Sequence, residues 1–181
     1  MSFGNVIPID AEVARQLARR EVRFRWLVAG LVALWLAVLV PTLLFTPLPP
    51  LVPFVVLAVL VILAEHRFVL FGDETSMSAS IIVVVASVFV FADTAPLSGP
   101  LLIASIAGLY LPHLRTGATS LVLANVSIFG LSAAIAAALA SGLLAGGTMD
   151  STDEALAVTV AASAAYWYAN SVLTGFASAL H

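Results

Sequence analysis

Residues 15–45 read RQLARREVRFRWLVAGLVALWLAVLVPTLLF, five arginines followed by an unbroken apolar run from Trp26 to Phe45. That run matches the roughly 20 residues a helix needs to cross the hydrocarbon core of a bilayer. It is too long for the apolar region of a signal peptide, about 7 to 15 residues, and no small-residue cleavage site follows it, so it is expected to be retained as a helix. Ahead of it, Val13, Leu17, Val22 and Phe24 recur at roughly helical spacing among Arg15, Arg19, Arg20, Arg23 and Arg25. This pattern predicts an amphipathic, interfacial lead-in over residues 1–25.

The rest of the chain extends this reading. Of its 181 residues 62% are hydrophobic and only 9% charged, with a mean hydropathy of +1.13, whereas soluble domains carry about 25% charged residues. Apolar surface on this scale must face lipid. The expected fold is all-α, an integral membrane bundle of six transmembrane helices occupying residues 26–181 as one domain. Cysteine is absent, which excludes disulfides, thiolate metal sites and cysteine nucleophiles.

After Trp26–Phe45 the apolar runs fall at about Leu51–Ala64, Ser78–Ala92, Leu101–Leu114, Thr119–Leu144 and from the Ser151-Thr152 region to Leu180. The Ile/Val-rich third run suits a strand as well as a helix, and helix is expected because an open strand in lipid leaves its edge groups unpaired. The fifth run is rich in small residues (Gly130, Ser132, Ala133, Ala134, Ala136, Ala137), which permit close helix packing and predict the centre of the bundle. Ser151 or Thr152 is an expected N-cap for the last helix, with Asp153 and Glu154 in its first turn.

Six crossings from a cytoplasmic N-terminus bring Arg67 and Arg115 to the side of the N-terminal arginines, and Asp93, Asp150, Asp153 and Glu154 to the other. All seven basic residues then obey the positive-inside rule. Both termini are expected on the cytoplasmic side of a bacterial plasma membrane, and the arginine cluster is assigned to anionic-lipid attraction rather than to nucleic acid.

Polar groups inside the hydrocarbon are the first place to look for function. Asn125 lies about 9 Å into the fifth run and Asn170 about 15 Å from the end of the sixth, at 1.5 Å per residue. With Glu65, His66 and Arg67 at the end of the second run, they are expected to converge on one polar region of ligand-binding character. Interhelical hydrogen bonding and a neutral Glu65/Arg67 pair are the plainer alternative. Tyr166 opens an aromatic run with Trp167 and Tyr168 in mid-span, which lines a cavity or packs a helix interface. The spacing of His66 and His113 does not make a haem or metal pair. Asp73 and Glu74 read as a solvated loop, since no activated nucleophile, metal-ligand set or phosphate-binding glycine loop accompanies them. No cofactor and no metal are expected.

The stretch Ala64-Glu65-His66-Arg67, with Gly72, Ser76-Met77-Ser78, Phe91 and Pro96, resembles the N-terminal membrane domains of bacterial signalling proteins that precede HD-type phosphohydrolase or diguanylate cyclase outputs. Arg115 leading to Asn125, and Tyr168-Ala169-Asn170-Ser171, resemble the middle and final segments of the same family. The resemblance implies a sensory or anchoring input module that passes its state to a cytoplasmic enzyme or partner through the last helix. The expected partners are the lipid bilayer, a small-molecule or lipid ligand, and a second copy in a homodimer; no enzyme activity is expected of the chain as it stands. The six-span plan is also similar to the substrate-binding subunits of energy-coupling vitamin transporters, which implies the alternative of a small-molecule binding component.

Overall fold

The computed structural model describes residues 11–65, 68–71, 75–144 and 152–180. Its first helix, α1, runs without a break over Ala11–Phe45. Nothing between Ala11 and Trp26 stops a helix: there is no glycine or proline, and Ala, Leu, Arg, Glu and Gln are strong helix formers. Pairs one turn apart, Arg25 to Glu21 at 2.6 Å and Arg15 to Glu12 at 3.8 Å, support the exposed surface. Thus the arginine-bearing lead-in and the first apolar run form one rod of 35 residues, about 52 Å long and about 20 Å longer than the hydrocarbon core is thick. Pro41 lies inside the rod near its end and removes only the bond its own N–H would have made to the carbonyl of Ala37.

The remaining elements are α2 (Leu51–Glu65), strands β1 (Phe68–Phe71) and β2 (Thr75–Ser78), then α3 (Ser80–Val90), α4 (Ser98–Ala107), α5 (Leu111–Arg115), α6 (Thr119–Leu144) and α7 (Thr152–Leu180). The strands pair antiparallel, Phe68 opposite Ser78 and Phe71 opposite Thr75. Apart from this hairpin the regular structure of the described residues is helical. Helices α1, α6 and α7 are long and apolar enough to cross a membrane. The other apolar helices have 15, 11 and 10 residues, so α2, α3 and α4 rise only about 22, 16 and 15 Å.

The third and fourth apolar runs are therefore shorter and differently placed as helices than their hydropathy predicts, for local reasons. Helix α3 stops at Val90, where the backbone N–H of Phe91 donates to the Ser87 carbonyl and that of Ala92 to the Phe89 carbonyl. Phe91 then fills the turn: it is fully buried, and a Cβ on Gly99 would collide with its ring. Helix α4 starts at Ser98, whose hydroxyl donates to the carbonyl of Pro47 and ties this turn to the α1–α2 connector. It ends at Gly108, where a Cβ would come within 2.5 Å of the Val126 backbone of α6. Tyr110 is extended ahead of Leu111-Pro112, so α5 begins as a separate turn of helix.

Packing fixes the relative direction of the rods. Phe24, Val28 and Leu31 of α1 share a core cluster with Ala124, Ile128 and Leu131 from the first half of α6 and Ala177 from the end of α7. At the other end Val88 of α3, Ala137 and Ala140 of α6, and Val158 and Ala162 of α7 form a second cluster, with Leu97 and Leu144 against it. Hence α1 and α6 run parallel and α7 antiparallel. The described arginines stand at one end: the five of α1, and Arg115 just ahead of α6. Asp93, Asp153 and Glu154 stand at the opposite end. Arg67 lies outside the described residues.

Helix α6 is the hub, packing most extensively on α7, then α4, then α1. Its apolar window is 61% buried against 17% for α1 and α7, which follows from its side chains: Gly130, Ser132, Ala133, Ala136, Ala137 and Ala140 are all buried. Small side chains let neighbours approach on several sides at once.

Candidate functional site

Where α1, α6 and α7 meet at the arginine end, their side chains leave a cleft of about 270 Å³. Phe24 forms one wall, Leu121, Ala124, Asn125 and Ile128 the second, and Thr174, Ala177 and Ser178 the third. The spacing on each helix explains the walls. Residues 121, 124, 125 and 128 share one face of α6, and 174, 177 and 178 share one face of α7.

The cleft differs from the bundle interior in how its polar groups are satisfied. In the interior, Ser105, Ser127 and Ser132 each donate a hydroxyl to the carbonyl four residues back, at 2.7–2.8 Å, so they enter apolar surroundings already paired. The Asn125 amide and the Thr174 and Ser178 hydroxyls have no such bond among the described residues, and all three edge the same apolar space. One turn from Thr174, Asn170 places its Oδ1 in the protein with no hydrogen-bond partner. In a low-dielectric setting a carbonyl without a donor costs about 1–3 kcal/mol.

The other residues singled out from the sequence sit elsewhere. Glu65 is buried at the end of α2, and Tyr166, at 3% exposure, is part of the mid-bundle core with Leu57, Val61, Val84 and Ala133. The two lie within electrostatic reach of each other. Neither lines the cleft that holds Asn125. His66 and Arg67 lie outside the described residues, as do Asp73 and Glu74. Trp167 and Tyr168, next to Tyr166, face outward at 53% and 68% exposure. Among the described residues no group of three His, Asp or Glu side chains converges for a metal.

Two features escaped sequence reasoning. The first is a polar junction of three helices: the Trp35 indole of α1 donates to Ser105 Oγ of α4 at 3.1 Å, directly over Gly130 of α6. The second is the part played by Phe24. Flanked by Arg23 and Arg25, it read as an interfacial residue, yet it is buried and heads the packed stripe Phe24, Val28, Leu31, Trp35. Its i, i+4, i+7, i+11 spacing was the available signal.

A second groove of about 290 Å³ lies toward the far end, between Val38 and Thr42 of α1, Leu97 and Leu101, and Leu131, Ala134, Ile135 and Ala138 of α6. Its lining is apolar except for Thr42. Comparison of the chain with family models, with curated proteins and with solved structures gives no match.

Proposed function

We propose that the chain is a membrane-embedded sensory and anchoring input domain that couples occupancy of the α1/α6/α7 cleft to a cytoplasmic output domain or partner. The observation that carries this reading is the position of the cleft. It is bounded by the start of the packed part of α1 and the last turns of α7, at the end where the arginines cluster. A ligand seated there touches both the helix that projects from the bundle and the one that closes the chain's last crossing. It shifts their packing only if it binds one arrangement better than the other.

The reading includes six crossings of a bacterial plasma membrane with the arginine end cytoplasmic. Helix α1 ends at the far end and α6 begins at the arginine end, so residues 46–118 return across the bundle. In this reading α2, α3 and α4, each shorter than the hydrocarbon core is thick, carry that return in three passes, and the one-sided placement of the described arginines agrees with the positive-inside rule. The resemblance of Ala64-Glu65-His66-Arg67 and Tyr168-Ala169-Asn170-Ser171 to bacterial input domains supports the same assignment. A homodimer is part of it, checked by light scattering of the purified protein. A carrier for a polar vitamin-like molecule would need converging polar groups near the far end, where the groove offers Thr42 alone.

The test is purification in mild detergent followed by mass spectrometry of co-purifying small molecules, together with spin-label distances between Arg23 and Ala179. The parent should retain an amphiphile, and its removal should change the distance. Asn125→Leu combined with Asn170→Leu should abolish both effects. Retention unchanged in the double variant overturns the site assignment.

A further inference from the structure

We infer that the cleft seats an anionic phospholipid of the leaflet at the arginine end, its acyl-glycerol part between α6 and α7 and its phosphate against Arg20 and Arg23 of α1. The inference rests on reading the cleft as a binding site, and it adds the class of ligand.

Three observations carry it. The first is charge. Of the five arginines on α1, Arg15 is paired with Glu12 and Arg25 with Glu21, whereas Arg19, Arg20 and Arg23 have no acidic partner among the described residues. Arg20 lies four residues before Phe24, hence one turn further out on the same face of the helix, and Arg23 adjoins it. Guanidinium groups of this kind hold phosphate oxygens through paired N–H donors.

The second is the chemical gradient of the cleft. Its polar lining residues, Asn125, Thr174 and Ser178, stand at the rim, the last two exposed, whereas Phe24, Ala124, Ile128 and Ala177 are buried and make an apolar floor. A phospholipid presents the matching pair of ester carbonyls and hydrocarbon, with a phosphate to reach the arginines beside the cleft. The Asn125 amide and the two hydroxyls, which lack hydrogen bonds among the described residues, are donors for ester carbonyls. Inorganic phosphate has no use for the apolar floor, and a plain hydrocarbon none for the polar rim.

The third is access. Thr174 and Ser178 are exposed and Gly175 between them meets nothing within 4 Å of a built Cβ, so the cleft opens sideways, in the direction from which a bilayer lipid arrives.

Native mass spectrometry of the full chain, titrated with phosphatidylglycerol or with phosphatidylcholine of identical acyl chains, tests the assignment. Phosphatidylglycerol should bind more tightly. Arg20→Gln with Arg23→Gln should weaken it about thirtyfold, from about 1 kcal/mol per juxtamembrane arginine, and bring it level with phosphatidylcholine. Ser178→Phe, which fills the mouth from an exposed position and spares the core, should weaken both lipids, and Thr174→Phe checks that result independently of any folding defect. Equal binding of both lipids that is lost in Ser178→Phe and Thr174→Phe overturns the anionic assignment and leaves the cleft as a binding site. Preference for phosphatidylglycerol that ignores both filling variants reduces the arginines to surface attraction and overturns the inference. Binding of neither lipid, while another amphiphile co-purifies and is displaced by the filling variants, refutes the lipid class and keeps the proposed function.

Discussion

At the scale of single residues, Gly130 is one of the positions where the bundle leaves no room for a side chain. A Cβ there would sit 2.6 Å from Trp35 Nε1 and 2.8 Å from Ser105 Oγ, so Gly130→Val must push α1 and α4 apart and break the hydrogen bond between them. Overpacking of this kind costs about 1–3 kcal/mol, measurable as a lower midpoint in detergent-mediated unfolding. Gly142→Ala is the control: nothing lies within 4 Å of its built Cβ, and alanine is the better helix former, so its midpoint should hold or rise. Asn170 gives a different expectation. Its Oδ1 is buried without a donor among the described residues, so Asn170→Leu should leave the ligand-free protein as stable as the parent or more so. A loss above about 1 kcal/mol would show that the amide is bonded in the protein.

At the scale of the elements, α1 sets the expectation that departs most from hydropathy reading. The arginines and the apolar run were legible as two segments because their chemistry differs, but chemistry does not break a helix; glycine, proline or a capping residue does, and none stands between Ala11 and Trp26. Cysteines for spin labels introduced at Val13 and Leu34, both exposed, should report about 32 Å between their backbones at 1.5 Å per residue. A markedly shorter distance would mean that the lead-in bends away at the membrane surface. No native cysteine interferes. The short helices α3 and α4 teach the converse lesson: their apolar runs continue past the helix ends, and it is Phe91 locked against Gly99, and Gly108 pressed onto α6, that end them.

For the molecule as a whole, the segregation of charge is the property to test. Thr116→Cys, beside Arg115, and Asp93→Cys, in the α3–α4 turn, should react with a membrane-impermeant maleimide from opposite faces of sealed vesicles, Thr116 from the cytoplasmic one. Labelling of both from one face would reverse the reading of residues 46–118 as a net return across the bundle.

Composition alone pointed to lipid as the solvent, because charges are so few and the apolar runs so long, and three helices long and apolar enough to cross a membrane agree with it. The runs at Thr119–Leu144 and Thr152–Leu180, and the end of the first at Phe45, could be read almost to the residue, since a backbone in hydrocarbon satisfies its hydrogen bonds locally and helix formation there depends on neighbours hardly at all. The small side chains of α6 announced a hub for the same reason. What the sequence does not contain is which faces meet. That Phe24 turns inward between two arginines, that Asn125 edges a cleft with Thr174 and Ser178 while Glu65 lies with Tyr166 in another cluster, and that Trp35 reaches Ser105 over Gly130 are facts of packing between segments up to about 150 residues apart. They depend on shape complementarity among helices whose apolar character is nearly uniform around their circumference, so no periodicity in one helix could reveal its partner.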